Sequence, residues 1–186
     1  MLILKILVFA IPITLAVILH MVAVRFNLFA NLKIPIDFGK LVHGHRLFGD
    51  SKTYRGVVLM LLFSIVGVYL LQFLCQTFEE VKALNILYFD QFPGYFYGML
   101  YGLGFTMAEL PNSFFKRRKG VPEGKTGNVL NVLIDQMDSF AGCLLLIFPF
   151  SDITWDFALY GILIYMGLHL MLNFSLYVVG VRKNPM

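Results

Sequence analysis

The sequence predicts an all-α protein, a polytopic membrane helix bundle of about five transmembrane helices joined by two polar cytoplasmic loops. Hydrophobic residues make up 59% of the 186-residue chain and charged residues only 14%, whereas a soluble domain carries about 25% charged residues. Long apolar runs recur along the whole chain, and no linker or internal repeat separates them. We therefore expect a single transmembrane domain, residues 1–186, without a soluble domain.

Five apolar stretches approach the roughly 20 residues that a membrane-spanning helix needs. They lie at residues 2–24, 56–75, 93–110, 129–150 and 157–179. The third is short and rich in glycine, and Gly94, Gly98 and Gly102 share one helix face, which is typical of close helix packing. The fourth contains two acids, Asp135 and Asp138, where a bilayer penalises charge, so these acids are candidates for a functional role.

Lysine and arginine are distributed unequally between the two sides of the predicted bundle. All but two of the 15 lie in residues 25–55, in residues 111–128 or in the C-terminal tail, and the exceptions are Lys5 and Lys82. Cytoplasmic loops carry the excess of positive charge. The chain is therefore predicted to be a multi-pass protein of the cell (inner) membrane, with its N-terminus outside and its C-terminus and both charged loops in the cytoplasm. Topology accounts for the net charge, so we expect no nucleic-acid partner.

Asp135 and Asp138 are spaced to face the same way. Residues three apart lie on one face of a helix, and two close carboxylates repel unless a cation or proton intervenes. Mg²⁺ is commonly held by one or two carboxylates together with substrate phosphates. The alternative is that the fourth span begins after Asp138 and leaves both acids at the membrane surface, as solvated charges or as partners of the nearby lysines and arginines. The apolar run at residues 129–134 favours burial.

Four consecutive cations, Lys116–Lys119, follow the third apolar stretch. They would attract phosphate, and arginine adds forked donors that match phosphate oxygens. If Pro111 lies near a helix start, with Asn112 or Ser113 as its cap, backbone N–H groups would also face an anion. The alternative, a juxtamembrane cluster that fixes topology or binds anionic headgroups, is favoured for this cluster taken alone.

Two weaker patterns complete the set. Lys52, Thr53 and Arg55 lie between glycines just before the second apolar stretch. The full P-loop pattern is missing, so spacing alone supports a phosphate loop only weakly, and the alternative is an ordinary loop that leads into a helix. His169, Asn173 and Tyr177 form a polar stripe on the fifth stretch, for which hydrogen bonding between helices is favoured over a direct role.

The order of these motifs resembles one family. The motifs are Pro35-Ile36-Asp37, Gly49 to Gly56, Glu109 to Arg118, Leu133 to Asp138, and His169 with Asn173. Together they are similar to the CDP-archaeol synthase family, which are small membrane CTP:lipid-phosphate cytidylyltransferases related to CDP-diacylglycerol synthase. Glu109 stands where the synthases usually carry Asp, and Tyr54 where Trp is expected. Gln136 replaces an Arg of the diacylglycerol enzymes, which favours the archaeol-type branch.

The resemblance implies a Mg²⁺-dependent enzyme that condenses CTP with a lipid phosphate of the bilayer to give a CDP-lipid and pyrophosphate. The acceptor would be the archaeol-type 2,3-bis-O-geranylgeranylglycerol phosphate or a related phosphatidic acid, and the active site would face the cytoplasm. Catalytic roles are implied for Asp135, Asp138 and Lys116, and metal binding for the same two acids with Glu109 as a weaker ligand. The residues expected to bind substrate are Lys52, Thr53, Arg55, Ser113, Arg117, Arg118, Asp37 and Asn112. Homo-oligomerisation is left open.

Two other classes of function fit parts of the pattern. A small transporter of a phosphorylated solute would also use intramembrane acids and cytoplasmic cations, although inverted repeats are missing and five spans do not halve. A non-catalytic lipid-binding subunit would need only the basic clusters. The ordered combination of acids and cations favours the enzyme.

Overall fold

Long α-helices form the framework of residues 1–122 and 128–182, which the computed structural model describes. In chain order the helices are α1 (Leu2–Arg25), α2 (Tyr54–Thr77), α3 (Glu79–Leu84), α4 (Gly94–Arg118), α5 (Val129–Ile147) and α6 (Trp155–Val178). Single turns of 3₁₀-helix lie at Ala30–Leu32 and Phe148–Phe150. A small hairpin in the first loop pairs β1 (Leu41–Val42) antiparallel with β2 (His45–Arg46), with Leu41 opposite Arg46.

Four segments are long and apolar enough to cross a membrane: α1, α2, residues Leu130–Phe150 and α6. Large apolar side chains such as Leu62, Phe73, Leu163 and Phe174 are exposed on their outer surfaces, as expected of helices that face lipid. With 25 residues, α4 is also long enough, but its glycines and basic end make it less hydrophobic. The chain is thus a polytopic membrane helix bundle, as predicted, with α4 the fifth long helix among the described residues.

The helix α4 lies at the centre of the bundle, with α2 on one side and α5 on the other. A Cβ atom on Gly98 would lie 2.5 Å from the Cα of Ile65, and one on Gly102 would lie 2.7 Å from the Cα of Leu61, both in α2. The glycine face was therefore interpreted correctly as a packing surface. The outer helices are α1, which packs on α2, and α6, which packs on α5, and they touch each other only sparsely.

Aromatic residues fix the middle of the bundle. The hydroxyl of Tyr101 in α4 donates to the backbone oxygen of Phe9 in α1 at 2.7 Å. Phe140 in α5 stacks on Tyr165 in α6 with ring centroids 4.4 Å apart. All four side chains are almost completely buried. These contacts connect α4 to α1 and α5 to α6 in the middle of the bundle.

The structure corrects one boundary. Residues 111–128 were predicted to be a loop, but α4 continues through Pro111 to Arg118, so Asn112 and Ser113 lie inside the helix rather than at a cap. The helix continues past Pro111 although the proline lacks an N–H group, and this part of α4 is bonded to α5 through Asn112 and Lys116. The basic residues suit the last turn because the helix dipole is negative there.

The fourth apolar stretch is helical from Val129, as predicted. The side chain of Asn128 accepts a hydrogen bond from the N–H of Asn131 at 2.9 Å and caps the helix. Asp135 and Asp138 therefore lie inside α5, in its second and third turns. The helix itself does not start after Asp138, while the point at which the span enters the membrane stays a prediction.

Candidate active site

A cavity of about 640 Å³ opens at the end of the bundle where the basic segments meet. Its walls come from α1, residues 50–57, α4, α5 and the end of α6. Ten of the predicted site residues line it: Lys52, Thr53, Arg55, Glu109, Asn112, Ser113, Lys116, Arg117, Asp135 and Asp138. Residues from distant parts of the sequence are thus brought together as the resemblance implied.

The two acids of α5 converge on one atom. The side-chain nitrogen of Asn112 donates to Asp135 Oδ1 at 2.6 Å and to Asp138 Oδ2 at 2.7 Å. The other oxygen of Asp138 accepts from the backbone N–H of Ser139 at 2.6 Å and from its hydroxyl at 3.0 Å. Both carboxylates are therefore oriented, and both present an oxygen to the same point between α4 and α5.

Lys116 lies one helical turn after Asn112 and forms an ion pair with Asp135. The lysine is buried, with 9% of its surface exposed. Because α4 and α5 approach closely, residues 112 and 116 on one helix face residues 135 and 138 on the other. This alignment assembles a partly buried cluster of two acids, one amide and one cation, called the α4–α5 cluster below.

A second ion pair joins Lys52 of the first loop to Glu109 of α4. Burial by itself would lower the pKa of Lys52, but the Glu109 carboxylate beside it, and Asp138 and Asp135 farther away, raise that pKa above its usual value. The lysine therefore stays charged and holds the loop against α4. Among the described residues no group of three or more His, Cys, Asp or Glu has metal-binding geometry, and a metal-ligand role for Glu109 stays a prediction.

The first loop is fixed to the bundle by its backbone and by Arg55. Pro35 and Thr53 form an isolated antiparallel bridge. The hydroxyl of Thr53 accepts from the N–H of Gly56 at 3.3 Å and so caps α2. Arg55 donates to the side-chain oxygen of Asn27, at the end of α1, at 3.1 Å. Thr53 and Arg55 therefore line the cavity and also make contacts that stabilise the first loop.

Asp37 does not line the cavity. Its buried carboxylate accepts from Arg46 at 2.7 Å and from the backbone N–H groups of Gly39, Phe48 and Gly49 at 3.1, 3.0 and 3.0 Å. Burial would raise the pKa of Asp37, but these hydrogen bonds outweigh it and lower the pKa well below its usual value. The geometry favours a role in folding the hairpin over the predicted role in binding substrate.

Arg118 also lies outside the cavity lining. Its guanidinium lies over the ring of Phe114, 4.3 Å from the centroid, and donates to the backbone oxygen of Arg46 at 3.2 Å. It therefore docks the hairpin onto the end of α4. Its predicted role in binding substrate is not supported by these contacts.

Among the cavity residues that were not predicted as site residues are His20, His169, Asn173 and Arg182. The predicted hydrogen bond between helices is present, because Asn173 donates to the side-chain oxygen of Gln136 at 3.4 Å. Arg182 reaches the cavity because Gly180, with a φ of +74°, reverses the chain after α6. A glycine directly after an apolar run was the available signal for this turn.

Several known proteins are similar to this chain in sequence. The family model described as "CarS-like: CDP-archaeol synthase" matches residues 1–186. The chain belongs to the CDP-archaeol synthase family. It is similar to the CDP-archaeol synthase of Saccharolobus islandicus, with 32% identity over 154 residues that cover 81% of each chain. The CDP-archaeol synthase of Methanosarcina barkeri is 31% identical over 162 residues, which cover 81% of this chain and 89% of that one.

The fold is likewise that of a solved structure, described as an intramembrane enzyme for archaeal membrane lipid biosynthesis. The TM-score is 0.64 at 23% identity, and the match covers 89% of this chain and 90% of that chain. This member of the CDP-archaeol synthase family is a CTP-dependent nucleotidyltransferase of the type that forms CDP-lipids. The prediction of the family and of an enzyme is confirmed, and the transporter and the non-catalytic subunit are set aside.

Proposed function

We propose that this CDP-archaeol synthase family member transfers the cytidylyl group of CTP to a lipid phosphate in the membrane. An oxygen of the lipid phosphate attacks the α-phosphorus of CTP, the bond from that phosphorus to the α–β bridging oxygen breaks, and pyrophosphate leaves. The observation that carries this proposal is the α4–α5 cluster, at the base of a cavity lined by Lys52, Arg117 and Arg182.

The cluster fits a magnesium ion. Asp135 and Asp138 aim hard oxygen atoms at one point, where the side-chain nitrogen of Asn112 donates to both, and a bound ion would take the place of these hydrogen bonds. We propose that these two acids hold the ion, with Glu109 a weaker candidate because it is paired with Lys52. Bound there, Mg²⁺ would neutralise triphosphate charge and polarise the α-phosphate.

Lysine and arginine side chains of the protein would neutralise the remaining phosphate charge. Transfer of a phosphoryl group depends mostly on positioning and on neutralising charge. Lys116 and Arg117 face the cavity next to the acids and would bind the phosphates, while Lys52 and Arg55 complete the nucleotide site from the first loop. A phosphomonoester has a second pKa of about 6, so at neutral pH the acceptor is largely ionised and needs no general base.

The proposed location follows from the two substrates, one dissolved in water and one in lipid. The basic segments meet at a single end of the bundle, and the excess of Lys and Arg favours the cytoplasm for that end. We therefore propose an active site that faces the cytoplasm, in a chain whose N-terminus is outside. For the acceptor we propose an archaeol-type lipid phosphate, with phosphatidic acid as the alternative.

The test is turnover by the purified protein in detergent or lipid. CTP and Mg²⁺ should yield a CDP-lipid and pyrophosphate with ether-linked or ester-linked lipid phosphates, and EDTA should abolish the reaction. Asp135→Asn and Asp138→Asn should each lower kcat on the order of 100-fold or more, while Glu79→Gln, an exposed site near the opposite end of α2, should not. Failure to form a CDP-lipid with both acceptor types would overturn the proposal.

A further inference from the structure

A second pocket, of about 290 Å³, lies between α4 and α5. Part of its wall is apolar and is formed by Ala108, Pro111, Phe115 and Ile134. Phe115 is 61% exposed and Ile134 38% exposed, and such side chains on the outside of a membrane bundle face lipid. The pocket, called the α4–α5 groove below, is therefore open towards the bilayer.

The other part of the groove is polar. Asn131, in the first turn of α5, is only 5% exposed, yet its side chain makes no hydrogen bond with any described residue. Lys119 lines the same end and forms no ion pair within the described part of the chain. Its amide is not one of the fully buried atoms that lack a partner, so it is open to the groove and can bond to a ligand there.

The groove and the large cavity meet at the catalytic centre. Asn112, Lys116 and Asp138 line both pockets. The α4–α5 cluster thus separates a cavity lined by cations from a groove that faces lipid. A reacting group bound in either pocket would lie next to the same three side chains.

We propose that the α4–α5 groove binds the acceptor lipid, while CTP occupies the large cavity. The lipid phosphate would lie between Asn131, Lys119 and Lys116, and its chains would run past Phe115 and Ile134 into the bilayer. The proposal rests on the proposed function and adds the site of its second substrate. The volume of the groove agrees with this assignment. Ligand pockets typically measure about 300–1,000 Å³, and a groove of 290 Å³ suits a lipid headgroup whose chains remain in the bilayer.

The geometry of the reaction favours this arrangement. The attacking and leaving oxygens of a phosphoryl transfer lie roughly in line, on opposite sides of the phosphorus. With the α-phosphate of CTP at the cluster, pyrophosphate would leave among Lys52 and Arg117 in the cavity. The attacking oxygen would then arrive from the opposite side, where the groove lies.

The kinetic test uses two changes inside the groove. Asn131→Leu removes the unpaired amide, and Ile134→Trp fills the apolar part. Each should raise the KM for the lipid phosphate about tenfold, the expected loss of one hydrogen bond to a charged group or of an equivalent contact, and leave the KM for CTP within about twofold. Leu133→Trp is the matched control, because Leu133 is exposed on α5 and lines neither pocket.

An alternative path for the lipid is the α1 wall of the large cavity, where Met21 lies. If Met21→Trp raised the KM for the lipid alone while Asn131→Leu and Ile134→Trp did not, the proposal would be overturned. The proposed role of Lys119 is tested in the same way. Lys119→Gln should raise the KM for the lipid. Lys40→Gln, which changes an exposed lysine of the first loop, should not.

A binding measurement separates this proposal from the proposed function. Both native cysteines are buried, so Ile134→Cys provides one accessible thiol for a maleimide. Phosphatidic acid or its diether analogue in the detergent micelle should slow labelling, whereas phosphatidylcholine, inorganic phosphate and CTP should not. Labelling of Leu133→Cys should be unaffected by every addition. Equal labelling of Ile134→Cys with and without lipid phosphate would overturn the groove assignment even if the enzyme were fully active.

Discussion

Asp135 and Asp138 have different partners although they lie one turn apart on α5. Asp135 pairs with the buried Lys116, whereas Asp138 accepts from Ser139 and shares only the amide of Asn112 with its neighbour. A carboxylate that neutralises a buried cation does more for stability than one that accepts neutral hydrogen bonds. The two acids are therefore expected to contribute alike to catalysis and unequally to folding.

Asp135→Asn should lower the free energy of unfolding by about 1–3 kcal/mol more than Asp138→Asn does, because it leaves the Lys116 ammonium without its counter-charge. Thermal unfolding in detergent measures this difference. Adding Lys116→Met to Asp135→Asn should recover part of the stability but none of the activity, since the double variant removes the unpaired charge and the catalytic group together. Equal losses in the two single variants would contradict the pairing.

Asp37 gives the hairpin of the first loop a dependence on pH. Its pKa is lowered in the folded protein, so it stabilises the fold fully above its unfolded pKa of about 3.9 and loses this effect as the pH falls below that value. Asp37→Asn should therefore cost about 1.5–3 kcal/mol near neutral pH. The difference in melting temperature from the wild type should shrink on acidification below about pH 4. Glu79→Gln, in an exposed ion pair, should show little effect at either pH.

At the scale of helices, the sequence allowed the long apolar segments and the glycine face to be predicted because both depend on local spacing. It did not allow the end of α4 to be placed. A proline is usually a sign of a helix boundary, and the contacts that Asn112 and Lys116 make with the acids of α5 depend on tertiary structure, which local spacing does not indicate. The contacts that Asp37 and Arg118 make with the hairpin were not predicted, for a similar reason. Their partners lie in a hairpin whose turn no simple residue pattern indicates.

The contact between α4 and α5 depends on two glycines. A Cβ on Gly142 would lie 2.2 Å from the backbone oxygen of Gly104, so Gly142→Ala must push α5 away from α4. Overpacking of this kind costs about 1–3 kcal/mol, and the shift would also separate Asn112 from the acids. We expect lower thermal stability together with a lower kcat. Gly167→Ala in α6, where nothing lies within 4 Å of the added atom, should leave both unchanged or slightly improve stability.

At the scale of the whole molecule, the bundle has two chemically different ends. One end brings together the first loop, the basic end of α4 and the chain after α6 around the cavity. The opposite end holds Glu79 and Glu80, and there the hydroxyl of Tyr88 donates to Asp152 at 2.7 Å. Charge along the sequence predicted that the basic segments share a side. Contacts between distant helices decide which residues of the basic segments face the cavity. For this reason Arg182 could not be assigned to the cavity from the sequence.

The predicted orientation can be measured by labelling single cysteines in intact cells. Lys82→Cys and Lys40→Cys replace exposed lysines near opposite ends of the bundle, and the native cysteines are buried. Because the basic end should face the cytoplasm, a membrane-impermeant maleimide should label Lys82→Cys in intact cells and Lys40→Cys only after the membrane is opened. The reverse pattern would place the cavity outside, away from cytoplasmic CTP. Labelling of both in intact cells would mean that the two ends lie on the same side, which is incompatible with α2 crossing the membrane.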